Sequence, residues 1–365
     1  MVSKATADCL IVGGGLIGML SAYELVQAGV RVAILERGRT GQESSWAGGG
    51  ILSPLYPWRY PDAVSALAHW GQARYQALAG SLHEPSGIDP EWQQSGLLML
   101  NTAEQQEAVA WAERYGAVLE VLSAEAAARC EPAMQSDSGG ALWMPEVAQI
   151  RNPRLLSALR VALEQQGAVF EEQTEALALQ HRHGRITAVE TSKGVRHAGK
   201  VVIAGGAWSG QLLGDTRLSI AVEPVRGQML LYKAAPGLLK RVVLAKGHYA
   251  IPRRDGHILV GSTVEYAGFD KSTTVDAATA LRRIAEQLVP ALAGVAVVRH
   301  WAGLRPGSAE GIPYIGEHPE IAGLYVNTGH FRNGVVLALA SAKLLGDLLL
   351  ERTTDFDATL YAIER

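Results

Sequence analysis

The residues of this chain best placed to do chemistry are glycines. Gly13, Gly15 and Gly18, in the run GGGLIG at 13–18, match the spacing GxGxxG. In that pattern the first glycine makes a tight turn, the second lets backbone approach a pyrophosphate, and the third lets a helix pack on a strand. Leu16 and Ile17 would open that helix and offer unpaired N–H groups and a partial positive charge to the phosphates. Glu36 follows at the end of the next apolar run. A carboxylate there accepts hydrogen bonds from ribose hydroxyls and repels a 2′-phosphate, which points to a dinucleotide other than NADP.

Two further segments decide between FAD and NAD. A second glycine-rich stretch, SSWAGGGI at 44–51, follows soon after Glu36 and reads as a loop suited to a longer cofactor lying over the sheet edge. Near the C-terminus, TGHFRNG at 328–334 separates an apolar strand from a long apolar helix. Backbone N–H groups at that helix start would stabilise negative charge on a reduced flavin. Both segments favour FAD.

On the motifs IVGGGLIG (11–18), ILERG (34–38), SSWAGGGIL (44–52), VVIAGGAWS (201–209), HWAGLRPG (300–307) and GHFRNG (329–334), the chain resembles the glycine oxidase / D-amino-acid oxidase family of flavoenzymes. The resemblance runs over nearly the whole length and implies non-covalent FAD and oxidation of the Cα–N bond of small amino acids. It places Glu36 and Arg37 at the ribose, Ser44, Ser45, Gly49, Gly50 and Ile51 at the pyrophosphate and flavin, and the Ala176 backbone on the adenine side. His330, Phe331, Arg332, Asn333, Gly334, Val335 and Val336 would line the flavin. Substrate would meet Arg305, Arg332 and Tyr249, since a guanidinium presents a rigid donor fork that matches a carboxylate. Without the family match, Arg305 reads equally well as a surface arginine in a proline turn.

The implied chemistry is hydride transfer from Cα to flavin N5, hydrolysis of the imine to an oxo acid and ammonia, and reoxidation by O2 to give hydrogen peroxide. It requires no obligatory acid or base side chain, and the sequence carries no triad or paired-carboxylate signature. The resemblance further implies a role in thiamine thiazole formation and a homo-oligomer, a tetramer. Two alternatives stand beside the oxidase: a D-amino-acid dehydrogenase using another acceptor, and a non-catalytic FAD-binding subunit. Val264 replaces a commonly larger residue and Gly48–Gly50 is unusually glycine-rich, so both are expected to enlarge the pocket. Cys9 and Cys130 offer no flavin attachment site.

These residues need a scaffold. Apolar runs at 8–12 and 30–35 flank a helical stretch at 17–28, a βαβ unit. Helical periodicity recurs at 64–82, 104–115, 123–129, 152–166, 276–288 and 334–350. Strand-like runs occur at 97–100, 168–172, 176–181, 186–191, 200–204, 227–232, 248–252, 257–260 and 323–327. The expected fold is α/β: a Rossmann-like FAD-binding domain (1–84, 146–217 and 304–365) with an inserted α+β substrate domain (85–145 and 218–303) built on an antiparallel sheet. The segment 56–61, YPWRYP, reads either as a lid or as a stiff surface turn.

Composition agrees. There are 40 glycines in 365 residues, where the usual ~7% would give about 26. A net charge of −3 with no basic stripe argues against nucleic acid. No histidine pattern such as HExxH suggests a metal. No apolar run reaches the ~20 residues of a membrane span, and the N-terminus lacks the features of a signal peptide. The expectation is a cytoplasmic enzyme taking a small amino acid and O2.

Overall fold

A computed structural model describes residues 7–100, 103–134 and 139–365. Residues 1–6, in the N-terminal stretch read for a signal peptide, lie outside the described residues, as do 101–102 and 135–138 of the expected segment 85–145.

The expected βαβ unit forms. Strand Cys9–Val12 leads through the glycine turn into helix Leu16–Gln27 and back to strand Val32–Leu35, parallel to the first. Cys9 and Ile11 pack with the helices Leu16–Gln27, Asn152–Gln165 and Gly334–Leu349. Leu10 and Val12 face the other way, onto Leu179, Ile186 and Val189 of a three-stranded antiparallel sheet. A parallel sheet must be covered on both faces, so this strand is apolar at every position rather than at alternate ones. Each fully buried leucine contributes ~1.5–3 kcal/mol, and Leu20, Leu25, Leu155, Leu159, Leu337 and Leu344 are all buried in the helical layer.

The parallel sheet has six strands in the order Tyr314–Glu317, Leu324–Thr328, Lys200–Ile203, Cys9–Val12, Val32–Leu35, Val169–Glu171, with the first antiparallel to its neighbour. A second sheet has eight strands: Val297–Gly307, Glu223–Lys233, His257–Gly261, His248–Pro252, Val242–Ala245, Leu97–Leu100, Ala141–Met144 and Glu120–Leu122. It is antiparallel except where Val242–Ala245 runs parallel to Leu97–Leu100.

Several expectations change. The helical stretch 64–82 is two helices, Asp62–Gln72 and Tyr75–Ser86. The break lets the Tyr75 hydroxyl donate to the Val335 carbonyl while Gly71 passes close beside that of Val336. Ser44–Ala47 is a single helical turn rather than open loop. Strand Val297–Gly307 had no counterpart in the sequence pattern, and it runs across the expected boundary between 303 and 304. Pro306 is tolerated inside it because this is the outermost strand of the sheet, bonded on one side only.

Segment 56–61 is packed. Tyr56 is buried against the eight-stranded sheet, its hydroxyl accepts the Gly247 N–H at 3.2 Å, and the Trp58 indole and Arg59 both bond Glu104. No helix among the described residues is long and apolar enough to cross a membrane.

Candidate active site

The glycine turn is built to be narrow. Gly13 has φ +114°, and a Cβ there would lie 2.4 Å from the Ala204 carbonyl oxygen. A Cβ on Gly18 would lie 2.0 Å from the Gly13 oxygen, so helix Leu16–Gln27 can sit this close only with glycine at 18. The helix starts at Gly15, which provides no side-chain cap. The Ser45 hydroxyl accepts the Leu16 N–H at 2.8 Å; the other first-turn donors have no intrahelical acceptor. Glu36 is held by the N–H groups of Gly14 (2.9 Å) and Gly38 (2.8 Å), one on each carboxylate oxygen. Each oxygen keeps a lone pair for a ribose hydroxyl. Beside it the Arg37 guanidinium lies 3.7 Å above the Trp208 ring.

This turn opens into a cleft of about 2130 Å³, mouth included, that continues to the eight-stranded sheet. Its lining brings together Gly13, Gly15, Leu16, Ile17, Glu36, Arg37, Ser44, Ser45, Gly49, Gly50, Ile51 and Ala176, then His330, Phe331, Arg332, Asn333, Gly334 and Val335, then Tyr249 and Arg305. Gly18 and Val336 do not line it. Gly18 acts through packing, and Val336 is buried in the helical core. Val264 is 44% exposed and also outside the lining, so its size does not set the pocket.

The lining fits FAD on its own evidence. Buried polar atoms without a partner among the described residues cluster along it: Asn333 Nδ2, His330 Nδ1 and Asn327 Oδ1. Helix Gly334–Leu349 begins at Asn333 with no side-chain cap, so a second helix N-terminus faces the same cleft. Neither cysteine lines it; Cys9 is buried in the first strand and Cys130 sits on helix Ala124–Cys130. Neither thiol is therefore placed to attach a flavin.

Arg305 is half-buried on the outer strand, with its guanidinium directly over Gly227. It donates to the Ser262 hydroxyl (2.7 Å) and the Thr263 carbonyl (3.1 Å), which aims the fork and leaves other N–H groups for a ligand. The surface-turn alternative for Arg305 is thus set aside. Burial lowers its pKa, Tyr249 raises it, and Arg332 lowers it further, which places the three groups in one electrostatic neighbourhood. The Tyr249 hydroxyl lies 3.9 Å from the Met229 sulfur, beside the Arg305 guanidinium.

His330 Nε2 lies 3.0 Å from Ser341 Oγ, and burial pushes its pKa down to about 3, so the ring is neutral. His248, on the strand that carries Tyr249, is lowered by burial and then by Arg332. Sequence reasoning missed Ser262, Gly227, Met229 and Trp208 as lining residues. Only Trp208, inside the GGAWS motif, carried a local signal.

Two glycine-lined helix N-termini and a carboxylate for ribose define a flavin-type dinucleotide fold, and residues 8–348 match the family model for FAD dependent oxidoreductases. The chain belongs to that family. It is 51% identical over 354 residues to glycine oxidase of Pseudomonas aeruginosa, covering 97% of both chains. The crystal structure of glycine oxidase from Geobacillus kaustophilus superposes with a TM-score of 0.94 at 33% identity, covering 99% of each chain. A longer relative in Synechocystis, the bifunctional protein ThiO/ThiG, is 32% identical and matches over 52% of its own length.

Proposed function

We propose that the chain is an FAD-dependent amino-acid oxidase that converts glycine, O2 and water to glyoxylate, ammonia and hydrogen peroxide, and also takes small amines and D-amino acids. One observation carries the reading: Arg305, Tyr249 and Arg332 border the same cleft as the dinucleotide turn. The carboxylates of that lining, Glu36, Glu43 and Glu175, stand with Arg37 and Ala176 in the Rossmann-like part.

Bound FAD supplies the two-electron acceptor for the Cα–N bond, with O2 as the final oxidant. Arg305 holds the substrate carboxylate through its guanidinium fork, and the Tyr249 hydroxyl donates a further hydrogen bond. The positive charges of Arg305 and Arg332 lower the pKa of the substrate ammonium, so its proton leaves to solvent without a protein base. Neutral His330, with Ser341 behind it, is a fixed wall rather than a proton carrier. What the protein contributes is orientation of the substrate against the cofactor.

In the same reading the enzyme is cytoplasmic and homo-oligomeric, a tetramer by family resemblance, and serves thiamine thiazole formation; the ThiO/ThiG relative supports that pathway role. Residues 85–145 and 218–303 form the substrate domain on the FAD-binding remainder. Adding glycine to the purified protein tests the activity. Peroxide is expected. Dye reduction without peroxide would assign a dehydrogenase, and no anaerobic bleaching of the flavin band would assign a non-catalytic subunit. A panel of glycine, sarcosine, D-alanine and D-proline ranks the substrates.

A further inference from the structure

Arg253 is buried, yet among the described residues no carboxylate lies within hydrogen-bond distance of its guanidinium. Nη1 donates to the Gln149 side-chain oxygen (2.6 Å) and the Ile150 carbonyl (3.2 Å), and Nη2 donates to the Gly49 carbonyl (2.7 Å). Nε has no partner. Burial pushes this arginine down to about 10, with Arg151 adding to the effect and Glu91 and Asp255 opposing it. A cation in such a place carries a desolvation cost that three neutral acceptors only partly offset. A hairpin tied to a loop for stability alone has no need of a charge.

The neighbouring bonds show what the arginine does to the backbone. The Asn152 amide donates to the Gly48 carbonyl at 3.1 Å, Arg253 to that of Gly49, and the Ile150 N–H to that of Gly50 at 2.8 Å. Three consecutive carbonyls are thus drawn toward the single segment 149–152. Gly50 has φ +75°, and a Cβ there would lie 2.0 Å from the Ile150 oxygen, so only glycine lets the loop lie this close. In a trans peptide the N–H points opposite to the C=O. The N–H groups of Gly49, Gly50 and Ile51 therefore turn away from 149–152. No described residue accepts any of them, and all three residues line the cleft beside Tyr249.

We propose that Arg253 is a positioning residue: together with Asn152 it holds the Gly48–Gly50 carbonyls back so that three successive amide donors face the flavin. The inference rests on the FAD reading above. Donors fixed in this way bind the cofactor and favour it more strongly once it has gained electrons, because hydrogen bonds to a more negative acceptor are stronger. The charge behind the loop acts in the same direction.

The test uses holoenzyme carrying Arg253→Met or Asn152→Ala, with FAD release followed by flavin fluorescence on dilution and the midpoint potential measured at saturating FAD. Each variant is expected to weaken FAD binding by roughly tenfold, the size of one lost hydrogen bond to a charged or tightly held group. Each is also expected to shift the midpoint potential negative. Arg253→Lys keeps the charge but not the fork, so it should recover the potential only in part. A purely structural role would lower the melting temperature and leave the potential of the FAD-saturated protein at its wild-type value, which overturns the proposal. If Arg253→Met does not fold, Asn152→Ala decides by the same readouts. Wild-type protein that binds no FAD would overturn the functional reading and this one together; unchanged variants overturn only the role of Arg253.

Discussion

Replacing Gly227 by alanine tests the substrate site without touching a substrate-binding side chain. The guanidinium of Arg305 covers this glycine so closely that a Cβ would lie 2.3 Å from both Nη1 and Nη2. Ordinary contact begins near 3.4 Å, so the fork must move by about 1 Å, and a misplacement of that size can cost ~100-fold in rate. Arg305→Ala sets the ceiling. Losing two charge-assisted hydrogen bonds at about 1.5–3 kcal/mol each removes ~3–6 kcal/mol, or two to four orders of magnitude in kcat/KM. Gly227→Ala should therefore lower kcat/KM for glycine by roughly 100-fold, short of the Arg305→Ala loss, with FAD content unchanged. Initial rates of peroxide formation across glycine concentration measure both. A Gly227→Ala enzyme within about twofold of wild type would refute the assignment of Arg305 to the carboxylate, since the clash is unavoidable while the guanidinium stays where it is.

Tyr249→Phe removes one neutral hydrogen bond and should cost about 2–10-fold in kcat/KM, read in the same assay. Gly18→Ala forces helix Leu16–Gln27 off the Gly13 carbonyl, and the variant is expected to purify with little bound flavin, measured by absorbance. His330, at about 3 in the fold against 6.5 unfolded, binds fewer protons than the unfolded chain below the unfolded value. Its contribution is therefore present above pH 6.5 and is lost as pH falls. Between pH 7 and pH 5 that amounts to about 2 kcal/mol, which denaturant melts of His330→Gln should show as a shallower loss. His248, His300 and His318 are lowered in the same direction, so only the difference from wild type isolates His330. Val264→Met, on an exposed side chain outside the cleft, should leave kcat/KM within about twofold.

The cofactor end of this protein was legible in its sequence for a local reason. A strand, a glycine turn, a helix and a carboxylate after the next strand are contiguous in the chain, and glycine spacing is a direct record of backbone geometry. The TGHFRNG turn was readable on the same grounds. The resemblance supplied the names of Arg305 and Tyr249, but nothing in their own neighbourhoods did; Arg332 was favoured by its place in the TGHFRNG turn as well. Arg305 sits in a strand whose proline made it look like a turn, a reading that holds only for strands bonded on both sides.

What tertiary structure alone decided is which residues meet. Gly227 and Arg305 are 78 positions apart and touch because strands Glu223–Lys233 and Val297–Gly307 pair with Val225 opposite Arg305. Arg253 reaches the Gly49 carbonyl across 204 positions because the turn after strand His248–Pro252 packs on segment 149–152. Such contacts are set by strand register and by how two sheets face each other, and neither leaves a periodic trace along the chain. The sequence determined the dinucleotide turn, the helix and strand alternation and the class of chemistry. Long-range pairing decided how the substrate arginine is aimed and which carbonyls turn away from the cleft.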